Sequence, residues 1–348
     1  MPTQNLIPLQ IQKIIRETDD THTFQLKNLS GKEINYVAGQ FLSFVFEKRN
    51  GEEERRNYSI SSAAVLEEPL SITVKRIPNG EFSRQLTDYA KEGDTLFTIG
   101  ASGFFTLPSP EDMPAQFFFF AAGSGITPVF SLIKTLLFTY PETKIVLVYS
   151  NPSPSKTIFY QSLLDLKSRY NDRLHVEFLF SNATAIHHKR LGIYLLENLL
   201  DKYISGTIQQ TLFYLCGPFE YMRMITIVLR NQGVPKPNIR KEIFIIDKPV
   251  QKELPSDTET HNITALLDGN EYVFAAQYPD TILQSAKKLH ITLPYSCESG
   301  QCGTCAATCI SGKVWMWRND VLLDEEMAKG KVLTCTGYAV GGDVVLKY

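Results

Sequence analysis

Four cysteines near the C-terminus constrain this chain more than any other feature. Three of them stand in Tyr295-Ser296-Cys297-Glu298-Ser299-Gly300-Gln301-Cys302-Gly303-Thr304-Cys305, and the fourth, Cys335, follows well downstream. C-x4-C-x2-C with a distant fourth Cys is the spacing of thiolates that hold a [2Fe-2S] cluster. Three sulfurs on one tight loop can wrap two irons only where the backbone bends sharply and turns its N–H groups toward them. Gly300 and Gly303 permit that bend, because glycine reaches positive φ without a Cβ clash. A structural zinc site usually pairs two short Cys or Cys/His clips, and no second C-x2-C accompanies this one. Cys309, in what reads as a strand, is expected to be a small buried hydrophobe rather than a ligand.

A length of 348 residues predicts two or three domains, each with its own core. The net charge of −2 and the scattered basic residues give no field for nucleic acid. Met1 to Leu9 has no charged segment leading into an apolar one, so no secretory signal is expected. The longest apolar stretch, Phe117 to Ile133, is broken by Gly123, Ser124, Gly125, Thr127 and Pro128, which predicts a strand, a turn and a helix rather than a membrane span. Six cysteines, four of them claimed by a cluster, fit a reducing cytoplasm better than a disulfide framework.

Upstream, Pro8 to Leu107 reads as short alternating strands separated by glycines and polar clusters, the grammar of a small antiparallel barrel, with one helical stretch from Gly80 to Ala90. Alternation in Arg56-Asn57-Tyr58-Ser59 puts Arg56 and Tyr58 on one face, a guanidinium fork for phosphate beside a flat ring. The same pattern describes a surface Arg beside a half-buried Tyr. Asn79-Gly80-Glu81-Phe82-Ser83 opens the helix, with free N–H groups and the Ser83 hydroxyl for an anion, or simply a capped end. The acidic run Glu52 to Glu54 reads as a solvated face.

The grammar then changes. Gln116 to Ala122, with four consecutive Phe, predicts a strand buried on both faces of a parallel sheet. Gly123-Ser124-Gly125-Ile126-Thr127-Pro128 follows, then a helix over Val129 to Phe138 with Pro128 at its first position, a geometry that brings N–H groups to a phosphate. Pro128 stands where the dinucleotide fingerprint has its third glycine. Strand and helix continue to alternate as far as a strand over Ile239 to Ile246, which predicts a parallel sheet with ligands at its carboxyl ends, Cys216-Gly217-Pro218 being one such end. Asp247 to His261 reads as a linker. A hairpin, a helix over Thr281 to Leu289, the cluster loop and further strands make a compact α+β module. His187 and His188 lack ligand spacing, Lys287 and Lys288 read as solvated, and Trp315 and Trp317 share a strand face for packing.

Taken together these motifs resemble the ferredoxin–NADP reductase superfamily joined to a C-terminal ferredoxin, over essentially the whole chain, and most closely the reductase subunits of phenylacetyl-CoA epoxidase and related oxygenases. The resemblance implies three units: a flavin-binding β-barrel at 1–108, an NAD(P)-binding α/β domain at 109–247, and, beyond a linker at 248–261, a β-grasp [2Fe-2S] ferredoxin domain at 262–348. It implies that Arg56, Tyr58, Ser59, Gly80, Phe82 and Ser83 meet FAD rather than FMN, with Tyr58 on the ring system and Ser59 near its N5. It implies that Gly123, Ser124, Gly125 and Thr127 meet the phosphates of NADPH or NADH, and that Cys216, Gly217 and Pro218 meet the nicotinamide; Glu242-Ile243-Phe244 matches the Glu-x-Phe near the end of that module. Ser59 and Cys216 are then the catalytic pair, with Cys297, Cys302, Cys305 and Cys335 as iron ligands. The implied activity is an NAD(P)H-dependent oxidoreductase that sends electrons through the cluster to an acceptor protein, an oxygenase such as phenylacetyl-CoA epoxidase. A non-enzymatic redox sensor is the competing class, against which an intact flavin signature speaks. Glu298 stands where relatives often carry Arg, and Asn182 and Pro152 stand where relatives that bind a 2′-phosphate often do. Lys156, Lys189 or Arg190 are the available substitutes.

Overall fold

The computed structural model describes residues 6–48, 51–183, 190–244 and 253–348. Six antiparallel strands come first: β1 (Ile7–Thr18), β2 (Thr21–Asn28), β3 (Phe41–Glu47), β4 (Glu53–Ser59), β5 (Ser71–Lys75) and β6 (Thr95–Ser102). Their order is β4-β3-β6-β1-β2-β5. The two edges meet where Ile60 bridges Ile72 and the Ser61 N–H donates to Ser71 O at 2.8 Å, which closes the sheet into a barrel. Alternate residues point inward, as a period of two requires. Leu9, Ile11, Phe24, Leu26, Leu42, Phe44, Ile72 and Val74 form the interior, with Phe82 and Leu86 packed against them from the segment that begins with the one-turn helix α1 (Glu81–Arg84).

A five-stranded parallel sheet follows, built from β7 (Gln116–Ala122), β8 (Lys144–Asn151), β9 (Leu174–Phe180), β10 (Leu212–Cys216) and β11 (Ile239–Glu242) in the order β11-β10-β7-β8-β9. The Phe run divides as expected for a strand covered on both faces. Phe117 and Phe119 enter the core beneath α2 (Ile126–Thr139) and α3 (Tyr160–Arg169), while Phe118 and Phe120 enter the core beneath α4 (Ile193–Tyr203) and α5 (Phe219–Asn231). Helix α2 starts at Ile126, so Pro128 is its third residue rather than its first. The first-turn N–H groups have no intrahelical partner, and Pro is therefore tolerated there too. This helix is buried almost all round because the barrel covers the side that the sheet leaves open. Ser131 Oγ donates to Ser62 O at 2.6 Å, and buried Lys134 pairs with Glu68. Strand β11 ends at Glu242, short of the expected Ile246.

The last unit packs α6 (Ile282–Lys288) on a mixed sheet, β13-β12-β18-β14-β16, formed by β12 (His261–Leu267), β13 (Asn270–Ala276), β14 (Ala306–Ser311), β16 (Lys331–Leu333) and β18 (Val344–Lys347). The capping box on α6 is complete: the Gln284 N–H donates to Thr281 Oγ1 (3.2 Å) and the Thr281 N–H to Gln284 Oε1 (2.9 Å). A small ribbon, β15 (Val314–Met316) with β17 (Gly337–Ala339), and the helix α7 (Asp324–Ala328) complete it. Trp315 lies in β15 but Trp317 falls in the bend beyond it, so the two do not share a strand face. Among the described residues no helix is long and apolar enough to cross a membrane.

Candidate functional site

The cluster loop bends as its glycines allow. Gly300 and Gly303 have φ of 75° and 79°. A Cβ on Gly300 would lie 2.9 Å from Arg318 O, and one on Gly303 would lie 2.5 Å from the Phe104 ring. Cys297, Cys305 and Cys335 are buried and Cys302 is half-buried, all as free thiols. Cys297 lies within hydrogen-bond reach of Cys302 and Cys335, and Cys335 within reach of Cys305. Hydrogen bonds from Cys302, and then from Cys335, hold the Cys297 thiol well below the usual range. Among the described residues no three His, Cys, Asp or Glu side chains gather as a site for one ion. A string of four sulfurs suits two irons taking two thiolates each better than one zinc ion on which all ligands converge. Cys309 stands apart, half-buried rather than buried, with Sγ 3.4 Å from Ser311 O.

On β4, Arg56 and Tyr58 share the face of Phe44, as alternation requires. The Arg56 guanidinium pairs with Glu54 and sits 5.4 Å from the Phe82 ring centroid. The acidic run is thus paired rather than merely solvated: Glu54 also meets Lys48, and Glu53 meets Arg55. Burial pushes the Tyr58 phenol up, so its ring stays neutral. Gly80 precedes α1, where a Cβ would come within 2.4 Å of Ser83 Oγ. The buried Ser83 hydroxyl donates to Gly80 O (3.2 Å) and accepts from the Ile77 N–H (3.2 Å), so it closes the turn, and what the segment offers an anion is its backbone N–H groups. Phe82 is buried and stacked on Phe46 at 4.4 Å, a packing residue in the barrel core.

The nucleotide end forms where β7, β8 and β10 finish. Gly123 has φ of 55°. The turn passes so close over β10 that a Cβ on Gly125 would lie 2.0 Å from Cys216 O, and one on Gly217 would lie 3.0 Å from Ala122 Cβ. Thr127 Oγ1 donates back to Ser124 O (3.0 Å) and Tyr149 OH to Gly123 O (3.0 Å), which fixes the turn. Pro218 is the N-cap of α5. Sequence reasoning missed two residues here: Ser150 and Asn151, at the carboxyl end of β8, carry buried side-chain polar atoms with no hydrogen-bond partner. Unpartnered buried polar groups call for a ligand or water, and the carboxyl end of a parallel strand is where a nucleotide binds. Of the residues suggested for a 2′-phosphate, Lys156 is paired with Asp19 of the barrel and Arg190 is exposed. Lys189, like His187, His188 and the end of the expected last strand, lies outside the described residues. The Asn182 N–H donates to Pro152 O at 3.1 Å, so the two positions where relatives often carry Arg are neighbours.

The two ends meet at Glu242. Ser59, on the opposite face of β4 from Tyr58, donates to Glu242 Oε2 at 3.4 Å, while Glu242 pairs in register with Cys216. Burial pushes the Glu242 carboxyl up to about 8, with the Ser59 bond opposing, and burial followed by Glu242 pushes the Cys216 thiol up as well. Glu242 entered the sequence reading only as part of a motif. Phe244, two residues on, is 43% exposed at the same edge.

A hydroxyl from a barrel, a carboxyl and a thiol from a parallel sheet, and a thiol loop docked on that barrel define a flavin- and nucleotide-dependent iron–sulfur oxidoreductase. Family models match in the same order: an oxidoreductase FAD-binding domain over residues 8–107, an oxidoreductase NAD-binding domain over 119–226 and a 2Fe-2S iron-sulfur cluster binding domain over 265–340. The chain is 31% identical to one of the subunits of 1,2-phenylacetyl-CoA epoxidase from Escherichia coli, over 98% of this chain and 97% of that one. It is 29% identical to the ferredoxin reductase component of 3-ketosteroid-9-alpha-monooxygenase from Rhodococcus rhodochrous, over 98% and 96%. Phthalate dioxygenase reductase shares the fold, with a TM-score of 0.59 and 22% identity over 99% of this chain and 98% of that one. The chain belongs to the family of reductases that join FAD-binding, NAD-binding and 2Fe-2S domains in one polypeptide.

Proposed function

We propose that this chain is the reductase component of a multicomponent oxygenase in a reducing cytoplasm, taking a hydride from NAD(P)H and delivering single electrons to an oxygenase partner such as a phenylacetyl-CoA epoxidase, a type that the similarity to an epoxidase subunit supports. Its working units are the segments 1–108, 109–247 and 262–348, joined by 248–261. The observation that carries this reading is the convergence on β4 of the barrel, the end of the nucleotide sheet and the cluster loop. FAD, when bound, supplies the conversion of a two-electron donor into single electrons.

The residues hold and orient. Arg56, Tyr58, Ser59 and the N–H groups that begin α1 are suited to FAD, and Gly80 is required for the close turn before that helix. Gly123, Ser124, Gly125 and Thr127 present the backbone to the nucleotide phosphates, with Ser150 and Asn151 as added polar partners. Cys216, Gly217 and Pro218 shape the place for the nicotinamide, and Phe244 borders it. Burial favours the protonated form of Glu242 at neutral pH while Ser59 Oγ donates to its Oε2, so no carboxylate charge stands where hydride arrives. Cys297, Cys302, Cys305 and Cys335 are the iron ligands.

Replacing Cys302 by Ala tests the reading. Bleaching of the flavin by NAD(P)H persists, while the cluster absorbance and electron delivery to a one-electron protein acceptor are lost. Delivery that survives in full in this variant overturns the reading.

A further inference from the structure

Successive side chains of a strand point to opposite faces, and β4 divides its contacts accordingly. Glu54, Arg56 and Tyr58 share the face of Phe44 and Phe46. Arg55, Asn57 and Ser59 lie on the other face, and each reaches another unit. Arg55, only 6% exposed, donates to Tyr295 O at 2.7 Å and places its guanidinium 3.5 Å from the Tyr295 ring centroid. Its Nε and other amino group both hold Glu53 at 3.2 Å, which fixes the fork. Asn57 Oδ1 accepts from Ser296 Oγ at 2.7 Å and from Ser43 Oγ at 2.7 Å. Ser59 continues the row to Glu242.

Tyr295 and Ser296 immediately precede the ligand Cys297. Barrel residues also hold the middle of the loop, between Cys302 and Cys305: Ser102 Oγ lies 3.1 Å from Thr304 Oγ1, and the Phe104 ring packs where Gly303 has no side chain. From Arg55 to Ser59 the strand advances about 14 Å. One strand face therefore carries both the dock for the cluster loop and the junction with the nucleotide sheet. The Arg55 guanidinium is shielded from water, so its bond to Tyr295 is little screened by salt.

We propose that Arg55 and Asn57 are positioning residues for electron transfer, holding the cluster loop on the strand that carries the flavin contacts so that transfer occurs in this docked arrangement. With FAD and the cluster bound, the step served would be the passage of one electron from the reduced flavin to the oxidised cluster, with no covalent bond made or broken. The inference rests on the function proposed above, and its test separates the two.

Wild type and the Arg55→Ala/Asn57→Ala double variant are mixed anaerobically with NADH or NADPH, and flavin and cluster bands are followed separately. In the variant the flavin bleaches as in wild type, while the cluster bleaches about ten-fold more slowly or worse, the scale set by losing one hydrogen bond from a charged group. Amide exchange across residues 295–304, measured on the oxidised protein without nucleotide, rises by about the same factor. Cluster bleaching within about two-fold of wild type, which is near the scale of the weakest net hydrogen bonds, or unchanged exchange, overturns the proposal. A wild-type cluster that NAD(P)H never bleaches overturns the proposed function instead. If the double variant loses its cofactors, Ser296→Ala removes a single loop hydroxyl: faster loop exchange supports the dock, and unchanged exchange overturns it.

Discussion

Gly125 is fixed by a neighbour that is distant in sequence, since the carbonyl of Cys216 occupies the place of a side chain. Gly125→Ala is expected to cost about 1–3 kcal/mol of stability, as overpacking does, and to weaken nucleotide binding; thermal melts and NAD(P)H titration check both. Glu242 gives a pH dependence whose sign can be worked out. Its carboxyl titrates near 4.5 in the unfolded chain and at about 8 in the folded one, so between these values the folded state alone keeps the proton. Stability from this group therefore falls as pH rises through that window, by about 1.4 kcal/mol per unit. Glu242→Gln removes the slope, and denaturant melts of both proteins at several pH values measure it. The gathering of Cys297, Cys302, Cys305 and Cys335 about a loop bent at positive-φ glycines was legible in the sequence, because short spacing and positive φ are local requirements. Ser150, Asn151 and the role of Glu242 were not legible, since their chemistry depends on strands that meet only in the fold. The Ser83 hydroxyl is also held within its own turn, donating to Gly80 O and accepting from the Ile77 N–H, a use that the sequence pattern alone did not disclose.

At the scale of elements, the period-two and all-apolar patterns disclosed the barrel and the parallel sheet, and the four consecutive Phe are divided between two cores as a doubly covered strand requires. The pieces that escaped were β16, β17 and α7, too short to carry a period. Helix α2 has a second neighbour that its sequence does not name. Lys134, buried where the helix meets the barrel, is paired with Glu68, and burial pulls its ammonium down against that pairing. Removing either partner is then unequal. Glu68→Gln leaves a buried cation and is expected to cost about 3–5 kcal/mol, while Lys134→Met replaces the cation by an apolar chain of similar length and leaves stability within about 1.5 kcal/mol, because Glu68 can turn to water. Equal losses in melting temperature for the two variants would contradict this account of the interface. Lys287 and Lys288 read as solvated and are exposed, with added pairings to Glu298 and Asp280 that the pattern does not show, and Lys287 lies 4.3 Å from the Tyr295 ring centroid.

For the whole molecule, three units are joined through one strand, and the order of the work differs from the order of the chain: the barrel for the flavin comes first in sequence but stands between the sheet for the nucleotide and the loop for the cluster. Alternation along Arg56-Asn57-Tyr58-Ser59 predicted the face shared by Arg56 and Tyr58, but not that Arg55 and Asn57 on the reverse would seat another unit, because that contact spans roughly 240 positions of sequence. The proposed function requires electrons to pass from NAD(P)H through the flavin to the cluster within one chain. An anaerobic absorbance titration of the purified protein with NADH, and separately with NADPH, tests it most directly. Flavin and iron–sulfur bands are both expected to bleach, with the more efficient donor identifying the physiological nucleotide. A preparation without flavin, or a visible cluster that stays oxidised while the flavin is fully reduced, would contradict it.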